Sequence, residues 1–178
     1  KNIELQEHRD NLEQMVIERT ESIKVLLDNT GQGFMTFRPD FNIDPLYSKA
    51  CRTFFNEPIE DKNAMGLLFG DDESRRSSVR EMMDMVFQGA VELDILADIM
   101  PKEIKVDERV LKLDYRLIPP VGAETGKRMM LILTDITLER RLAEQIKEEE
   151  DRKELIVKIA IDKAGFIEFV HDMREMIH

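Results

Sequence analysis

The chain has 178 residues, 42% hydrophobic and 35% charged, enough for one packed domain with polar extensions. Its formal net charge of -11, from 37 acidic against 26 basic residues, argues against nucleic acid or an anionic membrane surface as the partner. A single cysteine, Cys51, excludes a disulfide framework and a Cys-rich zinc site within one chain, and fits a reducing compartment.

Residues 1–29 contain no Gly or Pro, and Leu5, Leu12, Arg19 and Leu26 fall seven apart. His8, Met15 or Val16, and Ile23 lie near the complementary heptad positions, so the stretch reads as a coiled-coil seam with polar interruptions. The alternative is an amphipathic helix packed on its own domain. Asn29-Thr-Gly-Gln-Gly33 then breaks the helix. Residues 33–38 read as a strand, Pro39-Asp40 as a tight turn and residues 41–45 as the hairpin partner. Ser48 to Phe55 is a short helix with Ala50, Cys51, Phe54 and Phe55 on its apolar side, and a helical turn is expected near Ala64 to Phe69.

Asp71 or Asp72 can cap the next helix, and Gly89 can end it. Val79, Met82, Met83, Val86 and Phe87 mark one face at helical spacing. Residues 90–101 are ambiguous between strand and helix. Ile104-Lys-Val106, a turn at Asp107-Glu108 and Arg109 to Ile118 alternate apolar and polar, which predicts an antiparallel hairpin with one buried face. Val110, Lys112, Asp114 and Arg116 share one side; Leu111, Leu113, Tyr115 and Leu117 share the other.

After a loop at 119–126, residues 128–135 form an apolar strand that changes to helical periodicity with almost no loop between. Asp135 and Thr137 stand at that junction, and Thr137 can accept a bond from the free N–H groups of a helix starting at Leu138. Strain in the strand would pass straight into that helix. From Leu138 onward, Leu142, Ile146, Ile156, Ala160, Ile167, Val170 and Ile177 mark a second seam with polar members between them. Gly165 could interrupt it, with Asp162 capping a separate helix from about 163.

The order of these elements over roughly residues 22–137 resembles a PAS domain. Leu133-Thr-Asp135-Ile-Thr137 is similar to the Asp-Ile-Thr ending of PAS domains that feed an output helix. Leu12-Glu-Gln-Met-Val-Ile-Glu-Arg-Thr20 resembles the linker helix that precedes such domains in bacterial sensor histidine kinases. At Ser48 the chain departs from the Asn that many PAS domains carry after the second strand. The fold expected is α+β, a five-stranded antiparallel sheet with helices on one face. The expected divisions are an N-terminal signalling helix at 1–29, a PAS-like sensor domain at 30–137 and an output helix at 138–178.

The resemblance implies a core able to take haem, flavin or a small metabolite, and each needs its own residues. His8, His171 and His178 all lie outside the globular segment, which argues against His-ligated haem. Cys51-Arg52 is similar to the Cys-Arg pair of flavin photoreceptor domains. There, however, the pair follows the connection that here reads Asp61 to Gly66, so Cys51 is read as a small buried hydrophobe. Phe54, Leu68, Met82, Met83, Phe87, Tyr115 and Leu117 would line a pocket for a small apolar ligand, or simply fill the core.

Phe169-Val-His-Asp-Met-Arg174 resembles the phosphoacceptor box of histidine kinases, with His171 as nucleophile; the Pro usual after that box is replaced by Glu175-Met-Ile177. His171 reads equally as an ordinary solvent-facing residue. No phosphate-cradling glycine loop is present, so the segment is not expected to be an enzyme by itself.

The resemblance therefore implies a cytoplasmic sensor and relay module of a bacterial histidine kinase or phosphorelay protein. Its expected partners are a second copy of itself, downstream kinase or phosphotransfer domains and a response regulator. The alternative is a ligand-free dimerisation module. No apolar run reaches bilayer-spanning length, no signal peptide opens the chain, and it begins without Met and stops within a helical pattern. It reads as a segment of a longer protein, compatible with the cytoplasmic part of a membrane-anchored sensor.

Overall fold

The computed structural model describes residues 2–120 and 126–176, the side chains at 2–5, 7, 164 and 166–176 excepted. The chain divides into two compact units, Lys1–Ile136 and Thr137–His178. The first contains α1 (Asn2–Asp28), β1 (Gly33–Phe37), α2 (Lys49–Phe55), α3 (Ala64–Phe69), α4 (Glu73–Gln88) and α5 (Leu93–Leu96). It ends with β2 (Glu103–Val106), β3 (Arg109–Ile118) and β4 (Arg128–Asp135).

Local chemistry sets the helix ends. The Asp72 carboxylate accepts the Arg75 N–H at 3.0 Å and opens α4, while Gly89 at φ 74 closes it in the left-handed region. The Asn63 side chain accepts from the amides of Met65 and Gly66 and starts α3. The ambiguous stretch 90–101 resolves into the single turn of α5.

The sheet is antiparallel in the order β1-β4-β3-β2, so β4 is central, flanked by β1 and β3. Met35 and Phe37, Leu111, Leu113 and Tyr115, and Met129, Leu131 and Leu133 occupy alternate positions and are all buried. With Cys51, Phe54, Met65, Leu68, Val79, Met83 and Val86 from the helices they form one core. On the opposite face Lys112 and Arg116 are exposed and Phe34, Met130 and Ile132 are half-buried. The hairpin faces fall as their alternation predicts, with Asp107 taking the positive φ of the tight turn.

Among the described residues the sheet has four strands, not five. Segment 41–45, expected as the second strand, makes only isolated bridges, from Ile43 to Phe37 and from Asn42 to Asn63. Its hydrogen bonds are divided between two neighbours. The Asp44 N–H donates to the Thr36 carbonyl, whereas the Ile43 N–H donates to Lys62 and Ile43 accepts from Asp61. Phe41 explains the interruption: at φ 63 its ring turns inward, 6.0 Å from Phe37 and 6.2 Å from Phe87. Burial of that ring offsets the left-handed backbone, and the ladder cannot continue through it.

Glycine is required where β1 meets β4. A Cβ on Gly33 would lie 2.9 Å from the Leu133 Cβ and 3.0 Å from the Cys51 Sγ. Gly33→Ala should therefore cost about 1–3 kcal/mol through overpacking, seen as a lower midpoint in thermal melts. An unchanged midpoint would mean that the two strands part without cost.

All described α1 side chains from 6 to 26 are exposed, and only Leu27 and Asp28 at its end are half-buried. Leu12 is 50% and Leu26 70% exposed. The second unit is one helix, α6 (Thr137–Met176), which starts at Thr137 itself. It runs unbroken through Gly165, so Asp162 caps no separate helix; one interior glycine costs only about 1 kcal/mol and no proline follows it. Leu142, Ile146 and Ile156 on α6 are exposed.

Candidate functional site

Of the residues proposed to line a ligand pocket, Phe54, Leu68, Met83 and Tyr115 are buried in the core, and Met82, Phe87 and Leu117 pack half-buried against it. Burial pushes the Tyr115 phenol above its ordinary range, and its hydroxyl donates to the Pro101 carbonyl at 2.8 Å. These side chains fill space. Only Leu117 among them also lines a described cavity, about 420 Å³ between the end of α4 and the strands. A second cavity of about 440 Å³ lies elsewhere, where the last turns of α1 meet α2.

Cys51 is fully buried and its thiol is pushed up to about 12 by desolvation, with hydrogen bonds to Ser48 opposing weakly. At pH 8 the thiol is then almost wholly protonated, which makes it a poor nucleophile in the folded state. Native protein should resist iodoacetamide at that pH and react fully in denaturant, as read by intact mass. Rapid native labelling would show that the core opens.

Ser48, where many PAS domains have Asn, is a tie. Its hydroxyl accepts from the Phe34 N–H at 2.9 Å and donates to the Gln32 carbonyl at 2.9 Å, fixing the start of β1 to the start of α2. Asp44, 8% exposed, accepts from the Thr36 hydroxyl at 2.8 Å and faces Arg38 and Arg128 at 3.4 and 3.6 Å. That group pins the interrupted segment to the sheet edge.

The junction residues occupy the end of β4. The Arg109 Nη1 stands 3.0 Å from the Asp135 Oδ2, so the first residue of β3 clamps the last residue of β4. The Ile136 N–H donates to the Val110 carbonyl at 2.9 Å and extends the ladder one residue past the strand. On the other side, the Gln32 amide donates to the Thr134 hydroxyl at 3.0 Å, and Gly33 pairs with Leu133. Gln32 follows α1 by four residues. The exit of α1 and the exit of β4 therefore lie side by side in the sheet, joined by direct bonds.

Gln32, Thr134 and Arg109 escaped the reading of the sequence. Arg109 carried a usable signal, an opposite charge on the strand neighbouring Asp135; Gln32 and Thr134 carried none. Thr137 is the first residue of α6 and belongs to the second unit. The backbone of His171 lies within α6, and its side chain lies outside the described residues; His178 lies outside them altogether. Among the described residues no group of His, Cys, Asp or Glu is placed to hold a metal ion, and no helix is long and apolar enough to cross a membrane.

No protein-family model matches the chain, and no curated protein matches it. Solved structures do. A domain of an HTR-like protein from Haloarcula marismortui is 12% identical at a TM-score of 0.41, covering 60% of this chain and 99% of that one. The PAS domain of Bordetella pertussis BvgS is 14% identical at a TM-score of 0.47, covering 75% of this chain and 98% of that one.

Proposed function

We propose that this chain is a PAS-type sensor and relay module of a bacterial signalling protein, a histidine kinase or a member of a phosphorelay. It is not itself catalytic. The carrying observation is the adjacency of input and output: Gln32, just past α1, is bonded to Thr134, just before Asp135. Displacing the end of α1 shifts β1, and β1 has no freedom to move without the end of β4. The Arg109–Asp135 clamp and the Ile136 amide bond favour one of two states of that end, and α6 carries the difference onward.

The packed core favours a mechanical input through α1 over a ligand held between sheet and helices. A pure dimerisation module is the competing reading. In both, two copies associate through α1, in the cytoplasm, and deliver to a kinase or phosphotransfer domain and then a response regulator. The third role, phosphoacceptor chemistry at His171, requires acid-labile phosphate that disappears in His171→Ala.

The test joins α6 in heptad register to the catalytic region of a bacterial histidine kinase and inserts one, two, three or four residues after Leu138. Each residue rotates the helix by about 100°. A relay gives autophosphorylation that rises and falls with rotation and recovers near a full turn. A flat response across the series sinks the relay reading and leaves the dimerisation module.

A further inference from the structure

The second cavity lies outside the core and outside the β4 junction. It measures about 440 Å³ and is walled on one side by Lys24 and Asp28 of α1 and on the other by Lys49 and Arg52 of α2, with Tyr47 and Glu60 between. That volume suits a small molecule. In a chain of net charge -11 this is a local concentration of cations.

Each acid here accepts a hydrogen bond from a neutral donor, and Glu60 also attracts the Arg52 guanidinium. Asp28 accepts the Lys49 backbone N–H, which ties the two walls together, and Glu60 accepts the Tyr47 hydroxyl. That hydroxyl also accepts from the Arg52 Nη2 at 3.3 Å, a bond that engages one of the five guanidinium donors. Among the described residues Lys24 and Lys49 have no carboxylate in ion-pair reach. Tyr47 is 9% exposed and gives the cleft a fixed floor.

The geometry points to a binding site for a small organic molecule bearing two anionic groups, one held by Lys24 on α1 and the other by Lys49 and Arg52 on α2. The planar fork of Arg52 suits a carboxylate, and the two lysines serve as adjustable point charges. Because the cations stand on two different elements, a single compact anion satisfies only one wall. A bridging dianion satisfies both and fastens the end of α1 to the domain. The site does not depend on the relay reading, and its occupancy is measured directly as binding.

The experiment titrates the whole chain with succinate, acetate and inorganic phosphate by calorimetry and by amide chemical shifts. Succinate should bind saturably in the millimolar range or tighter, at least about tenfold better than acetate or phosphate, and shift Lys24, Tyr47 and Arg52. Arg52→Gln and Lys24→Gln should each weaken it by about tenfold, with folding checked by circular dichroism. Lys102→Gln, at an exposed pair with Asp98, should leave it unchanged. No saturable succinate binding, equal binding of acetate or phosphate, or indifference to both cleft substitutions would each overturn the proposal.

Discussion

Asp135→Ala in the kinase chimera should change autophosphorylation by up to about fivefold while lowering the melting temperature by only a few degrees. The two magnitudes have different sources. Arg109 and Asp135 are 40% and 29% exposed, and a pair so accessible contributes about 0.2–1 kcal/mol to stability. In a chain of this size that is about 2–4 °C at most. Output depends instead on the difference between two states of the β4 end. A clamp that favours one of them by as little as about 1 kcal/mol sets a population ratio of about 5. Arg109→Ala should reproduce the part of the effect that comes from this pair, and the double substitution should be less than additive, since both remove that contact. Exchanging the charges, Arg109→Asp with Asp135→Arg, should restore part of the lost response. If Asp135→Ala instead unfolds the domain, the residue is a structural support and the relay does not run through it.

What the sequence disclosed was periodicity and punctuation. The Asp72 and Gly89 ends of α4, the β2–β3 hairpin with its buried side, and the direct passage of β4 into α6 follow from side chains a few residues apart. Their physics is local. What it concealed was the pairing of distant positions. Gln32 and Thr134 are separated by 102 residues, and nothing in either neighbourhood marks one as the partner of the other. Segment 41–45 alternates like a strand, but Phe41 gains more by turning its ring onto Phe37 and Phe87 than by staying in the ladder, a tertiary preference that no window reports. The Met and Phe stripe of α4 has the same pattern whether it encloses a ligand or packs solid. Only the facing surface decides, and here the Phe41 ring packs on Phe87 and Met83 is fully buried in the core. The α1–α2 cleft was equally hidden, because Lys24 and Arg52 are unremarkable surface residues until the Asp28–Lys49 bond brings their helices together.

Substituting Glu for both Leu12 and Leu26 should convert a dimer to a monomer. These side chains are 50% and 70% exposed in the single chain and lie on the same heptad register as Arg19. A parallel partner would cover them along a helix about 40 Å long. Burying one Leu is worth about 1.5–3 kcal/mol, so charging two positions on each of two helices should raise the dissociation constant by at least about a thousandfold. Sedimentation equilibrium at micromolar concentrations would show the change. Arg19→Leu supplies the opposite sign: removing the charge from the centre of the seam should tighten the dimer by about tenfold or more. A helix face that met only solvent would respond to neither change. If the doubly charged variant still sediments as a dimer, association runs through α6, and α1 acts as a lever on a dimer made elsewhere. A wild-type chain that is monomeric throughout would remove the seam altogether. A dimer that weakens with Glu and strengthens with Leu at Arg19 would show that the polar interruption holds association near its threshold, where a small shift in α1 has the greatest effect.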